Sequence, residues 1–285
     1  MLYLILAILS SASMALVLKC FRNQTGNRYG ILLGNYLTCI VISFLTLPDK
    51  GMILHGSGVT LLCGMGGGVF FVTALVCMQS SIRQNGATLT SAFARLGLLV
   101  TLVLSVLLFR DRPSALQYVG IGLAVGALVV LRTGTAEKAG KKHSFRSFGL
   151  LLLTLFASGC ADGMAKVFEQ YGPARESSLY FFYLFSAAAL ICVFLALSER
   201  VRHNKKISFR EFISGILVGV PNFYSSYLLL LALQVLPAFL TYPVFSTGTI
   251  LLVMLLSALF FRERLTKKQL PGMILILAAI VLLNI

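Results

Sequence analysis

The chain has 285 residues, 58% of them hydrophobic and only 12% charged, with a formal net charge of +15. A soluble domain is about 45–50% apolar and about 25% charged, so a surface this poor in charge must face lipid; soluble enzymes, disordered chains and fibrous proteins are excluded. The basic residues sit in short clusters between apolar runs, the pattern that orients membrane proteins, and no nucleic-acid partner is expected.

A spanning helix needs about 20 mainly apolar residues to cross about 30 Å of hydrocarbon. Cutting the chain at charged and turn-forming clusters predicts ten, at roughly 2–20, 29–48, 57–80, 86–109, 114–132, 147–168, 177–198, 209–233, 236–261 and 267–285. The first lacks a basic n-region and is too long for a signal-peptide core. Lys19 directly before Cys20 excludes a lipobox, so this segment reads as a transmembrane helix. The polar stretch 133–146 (TGTAEKAGKKHSFR) reads as the linker between two halves, 1–132 and 147–285. The six cysteines make no CxxC spacing, and His55, His143 and His203 lie in polar connections. Neither a metal site, a disulfide framework nor a cofactor is expected.

Laying one half over the other reveals a repeat. At an offset of 152, Phe109-Arg110-Asp111-Arg112 meets Phe261-Arg262-Glu263-Arg264, and Gln117 and Gly120 meet Gln269 and Gly272. At 147, Ser11, Lys19 and Phe21 meet Ser158, Lys166 and Phe168; at 155, Gly64, Leu75 and Gln79 meet Gly219, Leu230 and Gln234. A duplicated five-helix unit follows. Five is odd, so the second copy must cross the membrane in the opposite sense, a design recurrent in secondary transporters with a substrate site near the midplane.

Of the 24 Lys and Arg residues, 18 fall in connections on one face and five on the other; Arg95 lies inside a span. The positive-inside rule puts the richer face in the cytoplasm and both termini outside.

The ten spans in two halves, the F-x-[DE]-R turn after spans four and nine, and the matched Lys19 and Lys166 resemble the drug/metabolite transporter superfamily with its paired EamA domains. The segments SAFARLGLLVTLVLSVLLFRDRPSALQ and LPAFLTYPVFSTGTILLVMLLSALFFRERLTKKQ carry the resemblance most clearly. It implies an all-α integral membrane fold, a multi-pass protein of the plasma membrane, and a cavity lined mainly by spans one, three, four, six, eight and nine. Members of that family usually keep their termini in the cytoplasm, the reverse of the charge count; the count is the larger signal here.

Charge inside a span is scarce and therefore informative. Arg95 sits about nine residues into span four, where insertion costs at least about 2.5–3.5 kcal/mol, so it should face the bundle interior or a wet cavity. Two roles are open: an anchor for a carboxylate-bearing substrate, or an internal pair that pins helices. Asp162 is the acidic residue well inside a span. It is expected to pair with Lys166 one turn on, to balance Arg95, or to carry a coupling proton. Lys19 and Lys166 can also snorkel to the interface. Span eight carries Pro221, expected to kink it, and the polar Asn222, Tyr224, Ser225, Ser226 and Tyr227. Gly64, Gly66, Gly67 and Gly68 in span three read as packing residues or as a cavity wall. Span nine offers Thr241, Tyr242, Pro243, Ser246, Thr247 and Thr249, with Thr247 the repeat mate of Arg95. The candidate substrate-binding set is Arg95, Asn222, Tyr224, Tyr227, Tyr242, Thr247 and Ser13; Asp162 and Lys166 are the candidates for ion or proton coupling.

These features imply a secondary transporter of a small polar metabolite, such as an amino acid, with export one direction open. It would work by alternating access of the two halves. A flippase of lipid-linked substrates on the same fold is the alternative. An enzyme is not expected, because catalysis in a membrane needs clustered His, Asp or Glu. No GxxxxGK[ST] is present. The expected partners are the small-molecule substrate and the lipid bilayer; nothing in the sequence specifies an oligomer, and a monomer is the simplest expectation.

Overall fold

The computed structural model describes residues 1–21, 27, 29–109, 114–139, 141–204, 206–236, 238–262 and 269–283. The repeated turn residues 110–112 and 263–264 and the side chains of Gln234 and Pro243 lie outside the described set. Among the described residues there is no strand. The helices are α1 (Leu2–Cys20), α2 (Tyr29–Leu45), α3 (Met52–His55), α4 (Gly58–Asn85), α5 (Ala87–Arg95) and α6 (Leu98–Phe109), followed by α7 (Ala115–Ala139) and α8 (Lys141–Tyr171). A 3₁₀ turn, Ala174–Glu176, leads into α9 (Ser177–His203), α10 (Phe209–Val235), α11 (Ala238–Phe261) and α12 (Gln269–Leu283).

Six of these segments are each long and apolar enough to cross a membrane: Leu2–Cys20, Gly58–Asn85, Phe145–Tyr171, Ala174–His203, Phe209–Leu229 and Val244–Phe261. Four shorter apolar stretches accompany them, at Tyr29–Leu45, Ala87–Thr101, Ala115–Ala127 and Leu270–Leu283. The polar segment 133–146 is largely helical: α7 runs on to Ala139 and α8 begins at Lys141.

Local signals set the helix ends. Ser57 caps α4 by accepting from the Thr60 amide at 3.2 Å. Gly86, at φ 84°, turns the chain from α4 into α5, a conformation that favours glycine. Asn204 ends α9 in the left-handed region at φ 50°, and Ser208 with Glu211 forms a capping box at the start of α10. The Glu176 carboxylate ties the 3₁₀ turn to the start of α4. It accepts from Ser57 N at 3.1 Å, Ser57 Oγ at 2.9 Å and Thr60 Oγ1 at 2.5 Å.

Packing follows the small residues. α4 lies against α8 and α9, α2 against α9 and α10, α1 against α10 and α11, and α7 against α12. A Cβ on Gly68 would stand 2.5 Å from the Leu184 carbonyl, and one on Gly64 2.7 Å from Tyr183 Cβ; Gly66 meets Met164 of α8. The glycines of span three therefore serve close helix approach. Tyr36, Leu32, Phe185 and Cys192 belong to the largest buried cluster. A second one, with Phe93, Leu96, Leu151, Ile250 and Ile276, encloses α5.

Span four departs from the continuous helix expected over 86–109. α5 stops at Arg95, and α6 starts at Leu98. Between them the hydrogen bonds tighten to an i→i−3 pattern: Gly97 N donates to Ala94 O at 3.1 Å, Leu99 N to Leu96 O at 3.0 Å and Val100 N to Gly97 O at 2.8 Å. The cause is tertiary. Gly97 meets the backbone of Gly159 on α8, where no Cβ fits on either residue, and Thr101 Oγ1 donates to Gly159 O at 3.0 Å. Pro221, expected to kink span eight, lies inside an uninterrupted α10.

Candidate functional site

Arg95 is the last residue of α5, placed where the span breaks. Its Nη2 donates to Ser11 Oγ of α1 at 2.5 Å. Its Cζ stands 4.3 Å from the ring centroid of Phe245 on α11, itself 5% exposed. A cation over an aromatic face contributes about 0.5–1 kcal/mol at exposed sites and about 2 kcal/mol when desolvated. A guanidinium has five N–H donors. Among the described residues only the bond to Ser11 engages any of them.

Asp162 on α8 supplies the opposite charge. It lies within electrostatic reach of Arg95, of Tyr180 on α9 and of Tyr242 on α11. Among the described residues its carboxylate accepts no hydrogen bond and forms no ion pair within 4.0 Å, so Lys166 does not neutralise it by direct contact. Asp162 is nevertheless exposed, as are Ala165 and Glu169, and Ser158 is half-buried. These four repeat at the three- and four-residue spacing of one helix face. The outer apolar stripe of α8 is a different face: Leu153 is exposed, and nine residues on, at about 100° per residue, Asp162 points half a turn away. Asp162 is thus an accessible side chain with groups from three other helices within electrostatic reach. Below it, α5 is sealed into its buried cluster.

Residues 1–133 and 147–285 match the EamA-like transporter family. The chain belongs to that family. EamA-like proteins are multi-pass membrane transporters of the drug/metabolite superfamily, and transport rather than catalysis is the activity of this family. A Haemophilus influenzae protein described as uncharacterized is 27% identical to this EamA-like chain, the alignment covering 97% of this chain and 95% of the relative. A crystal structure with 12% sequence identity superposes with a TM-score of 0.63 over 99% of this chain and 94% of the other, a likeness of fold.

The other candidate residues of this EamA-like chain are dispersed. Tyr242 is half-buried and shares the neighbourhood of Asp162 and Glu169. Among the described residues, the buried hydroxyls of Thr247, Tyr180 and Ser91 have no hydrogen-bond partner. Asn222 is turned toward α2: its Nδ2 donates to Asn35 Oδ1 at 3.1 Å and approaches Cys39 Sγ at 3.8 Å. Tyr227 stacks on Phe223 at 5.8 Å. Tyr224 is 41% exposed and continues the apolar stripe of Ile213, Leu217 and Val220. Ser13 shares the exposed stripe of Leu2, Leu6 and Leu9, and its Oγ donates to Leu9 O at 2.7 Å. Ser225 and Thr249 are satisfied within their own helices, by Asn222 O at 2.8 Å and Phe245 O at 2.7 Å. Lys19 is buried, with its amine 4.6 Å from the Phe261 ring.

Three groups around the two charges, Ser11, Phe245 and Tyr180, are absent from the sequence-derived set. Ser11 gave one signal, its repeat match to Ser158. Phe245 and Tyr180 gave none, because aromatic residues are common throughout apolar spans.

Proposed function

We propose that this protein is a secondary transporter of small zwitterionic metabolites such as amino acids. Ten spans in two inverted five-helix repeats would work by alternating access. The observation that carries this reading is the Arg95–Asp162 arrangement: two opposite charges among apolar helices, within electrostatic reach, and, among the described residues, without a contact ion pair and with nearly all their hydrogen-bonding capacity unused. Ionisable groups inside a membrane span face the bundle interior or a water-filled cavity and mark substrate or ion pathways. A solute carrying a carboxylate and an ammonium completes both at once, the carboxylate on the Arg95 fork and the ammonium on Asp162.

The separate family matches on either side of 134–146 support the duplication. The sealed cluster around α5 and the open face from Ser158 to Glu169 support a cavity closed at the Gly86 end and accessible from the Glu176 end. With the basic face in the cytoplasm of a plasma-membrane protein, that is an outward-facing state. Asp162 also offers a site for a coupling proton when no ammonium occupies it.

The test is a counterflow screen. Proteoliposomes holding the purified protein are preloaded with single amino acids, nucleosides or sugars, and uptake of the labelled solute is followed. Accumulation of a zwitterion, abolished by Arg95→Gln, is expected. Accumulation confined to uncharged sugars or nucleosides would overturn the zwitterion reading. A C-terminal reporter active only in the cytoplasm tests the orientation, and activity there would reverse it.

A further inference from the structure

A recess of about 650 Å³ lies between the C-terminal end of α4 and the first turns of α8, and its walls include neither Arg95 nor Asp162. Its size falls within the range of about 300–1,000 Å³ typical of small-molecule sites. Arg83, Gln84 and Ser80 line it from α4; Arg146, Leu150 and Leu153 line it from α8. Among the described residues, none that lines it is acidic. Arg83, Gln84 and Arg146 are exposed. Ser147 Oγ donates to Gln84 Oε1 at 3.0 Å, which leaves the Gln84 amide N–H groups as donors. Asn85 Nδ2 donates to Ser147 O at 3.0 Å, fixing the two helices against each other beside the recess.

Two arginine forks with an amide donor recognise a phosphate group, whose oxygens match the guanidinium geometry. The apolar part of the wall gives the ligand a second requirement. Leu153 opens onto the exposed face of α8 that continues through Phe156, and the exposed face of α4 runs from Ser80 back through Thr73 and Val69. The recess therefore joins a cationic mouth to a lipid-facing groove at the depth where the apolar run of α8 begins. Basic pockets between transmembrane helices at that depth suit anionic lipid headgroups.

We propose that this recess binds an anionic phospholipid, with its phosphate held by Arg83 and Arg146 and an acyl chain laid along Leu153 and Phe156. This inference stands apart from the transport site.

The experiment uses the purified full chain, delipidated in neutral detergent, with phosphatidylglycerol, phosphatidylcholine or inorganic phosphate added at matched concentration. Native mass spectrometry counts retained lipid, and thermal unfolding reports stabilisation. Phosphatidylglycerol is expected to be retained and to raise Tm, and the other two to do neither. The R83Q/R146Q variant should retain phosphatidylglycerol about thirtyfold less well, from the contribution of two basic residues at a membrane surface. Gly149→Leu is the second variant: a Cβ there meets nothing within 4 Å, so the fold accommodates the larger side chain, which fills the recess and leaves both arginines in place. It too should lose the lipid. Equal retention of phosphatidylcholine, unchanged binding in both variants, or equal stabilisation by inorganic phosphate would each overturn the lipid assignment.

Discussion

Replacing Arg95 with Gln is the sharpest perturbation of the proposed transport site. Among the described residues the guanidinium has one hydrogen bond, at Ser11, and rests on the Phe245 ring, so its geometry is held while four donors remain for a ligand. A bidentate grip on a carboxylate uses two of them, and hydrogen bonds to charged groups contribute about 1.5–3 kcal/mol each. Losing both removes about 3 kcal/mol at the lower bound, which raises KM about 150-fold. Arg95→Lys keeps the charge but loses the planar fork, and one such bond corresponds to about a tenfold rise. Phe245→Leu leaves the guanidinium chemically intact and removes the stacking, for an expected twofold to thirtyfold rise. The assay is counterflow of the solute found in the screen, beside thermal unfolding of each purified variant. Removing an arginine from hydrocarbon also removes its insertion cost, so Arg95→Gln should insert and fold as well as the parent. Wild-type KM in a folded Arg95→Gln protein would refute the anchor reading. So would a large loss of Tm restored by adding Asp162→Asn, the signature of a pair that only holds helices together.

Asp162→Asn keeps the shape of the side chain and removes its titration. Transport should lose its pH dependence if Asp162 carries the proton, whereas an unchanged pH profile excludes that role. Asn222→Leu should lower Tm by leaving the buried Asn35 Oδ1 with only the weak Cys39 thiol contact, at about 1–3 kcal/mol, and Asn35→Leu with Asn222→Leu should restore part of it; normal Tm with lost transport would instead make Asn222 a ligand. Gly159→Val should abolish correct folding, measured by size-exclusion profile and Tm, because a side chain there meets the Gly97 backbone and Val100. A stable Gly159→Val protein would mean that α5, α6 and α8 can separate at little cost.

The helical class, the apolar segments and the two intramembrane charges were legible because hydrocarbon imposes strict terms: long apolar runs and almost no ionised groups. Arg95 and Asp162 stood out by rarity. Their neighbours did not, since a serine or phenylalanine in a span carries no comparable signal. For the polar residues of spans eight and one, polarity in the sequence did not carry orientation, for a physical reason. A hydroxyl can satisfy itself on its own helix, as Ser13 does on Leu9 O, and a tyrosine body is apolar enough to join an outer stripe, as Tyr224 does with Val220 and Leu217. Asn222 is inward but is spent on Asn35. The sequence carries the polarity of each residue, not the phase of its helix relative to the bundle.

The break in span four was equally illegible, and it bears most on the chemistry. A lone glycine in an apolar run does not end a helix; the second glycine, 62 positions later on α8, is what brings the backbones together. The consequence is electrostatic. Ending α5 at Arg95 puts that residue in the last turn of a helix, where the negative end of the helix dipole stabilises a nearby cation by about 0.3–1 kcal/mol. That offsets part of the cost of holding Arg95 in hydrocarbon without a carboxylate in contact. A contact carboxylate would have stabilised the arginine more, but it would have occupied the donors that the proposed substrate would use. The glycine contact, the helix end, the Phe245 face and the single serine bond together hold the charge in place while leaving its fork open.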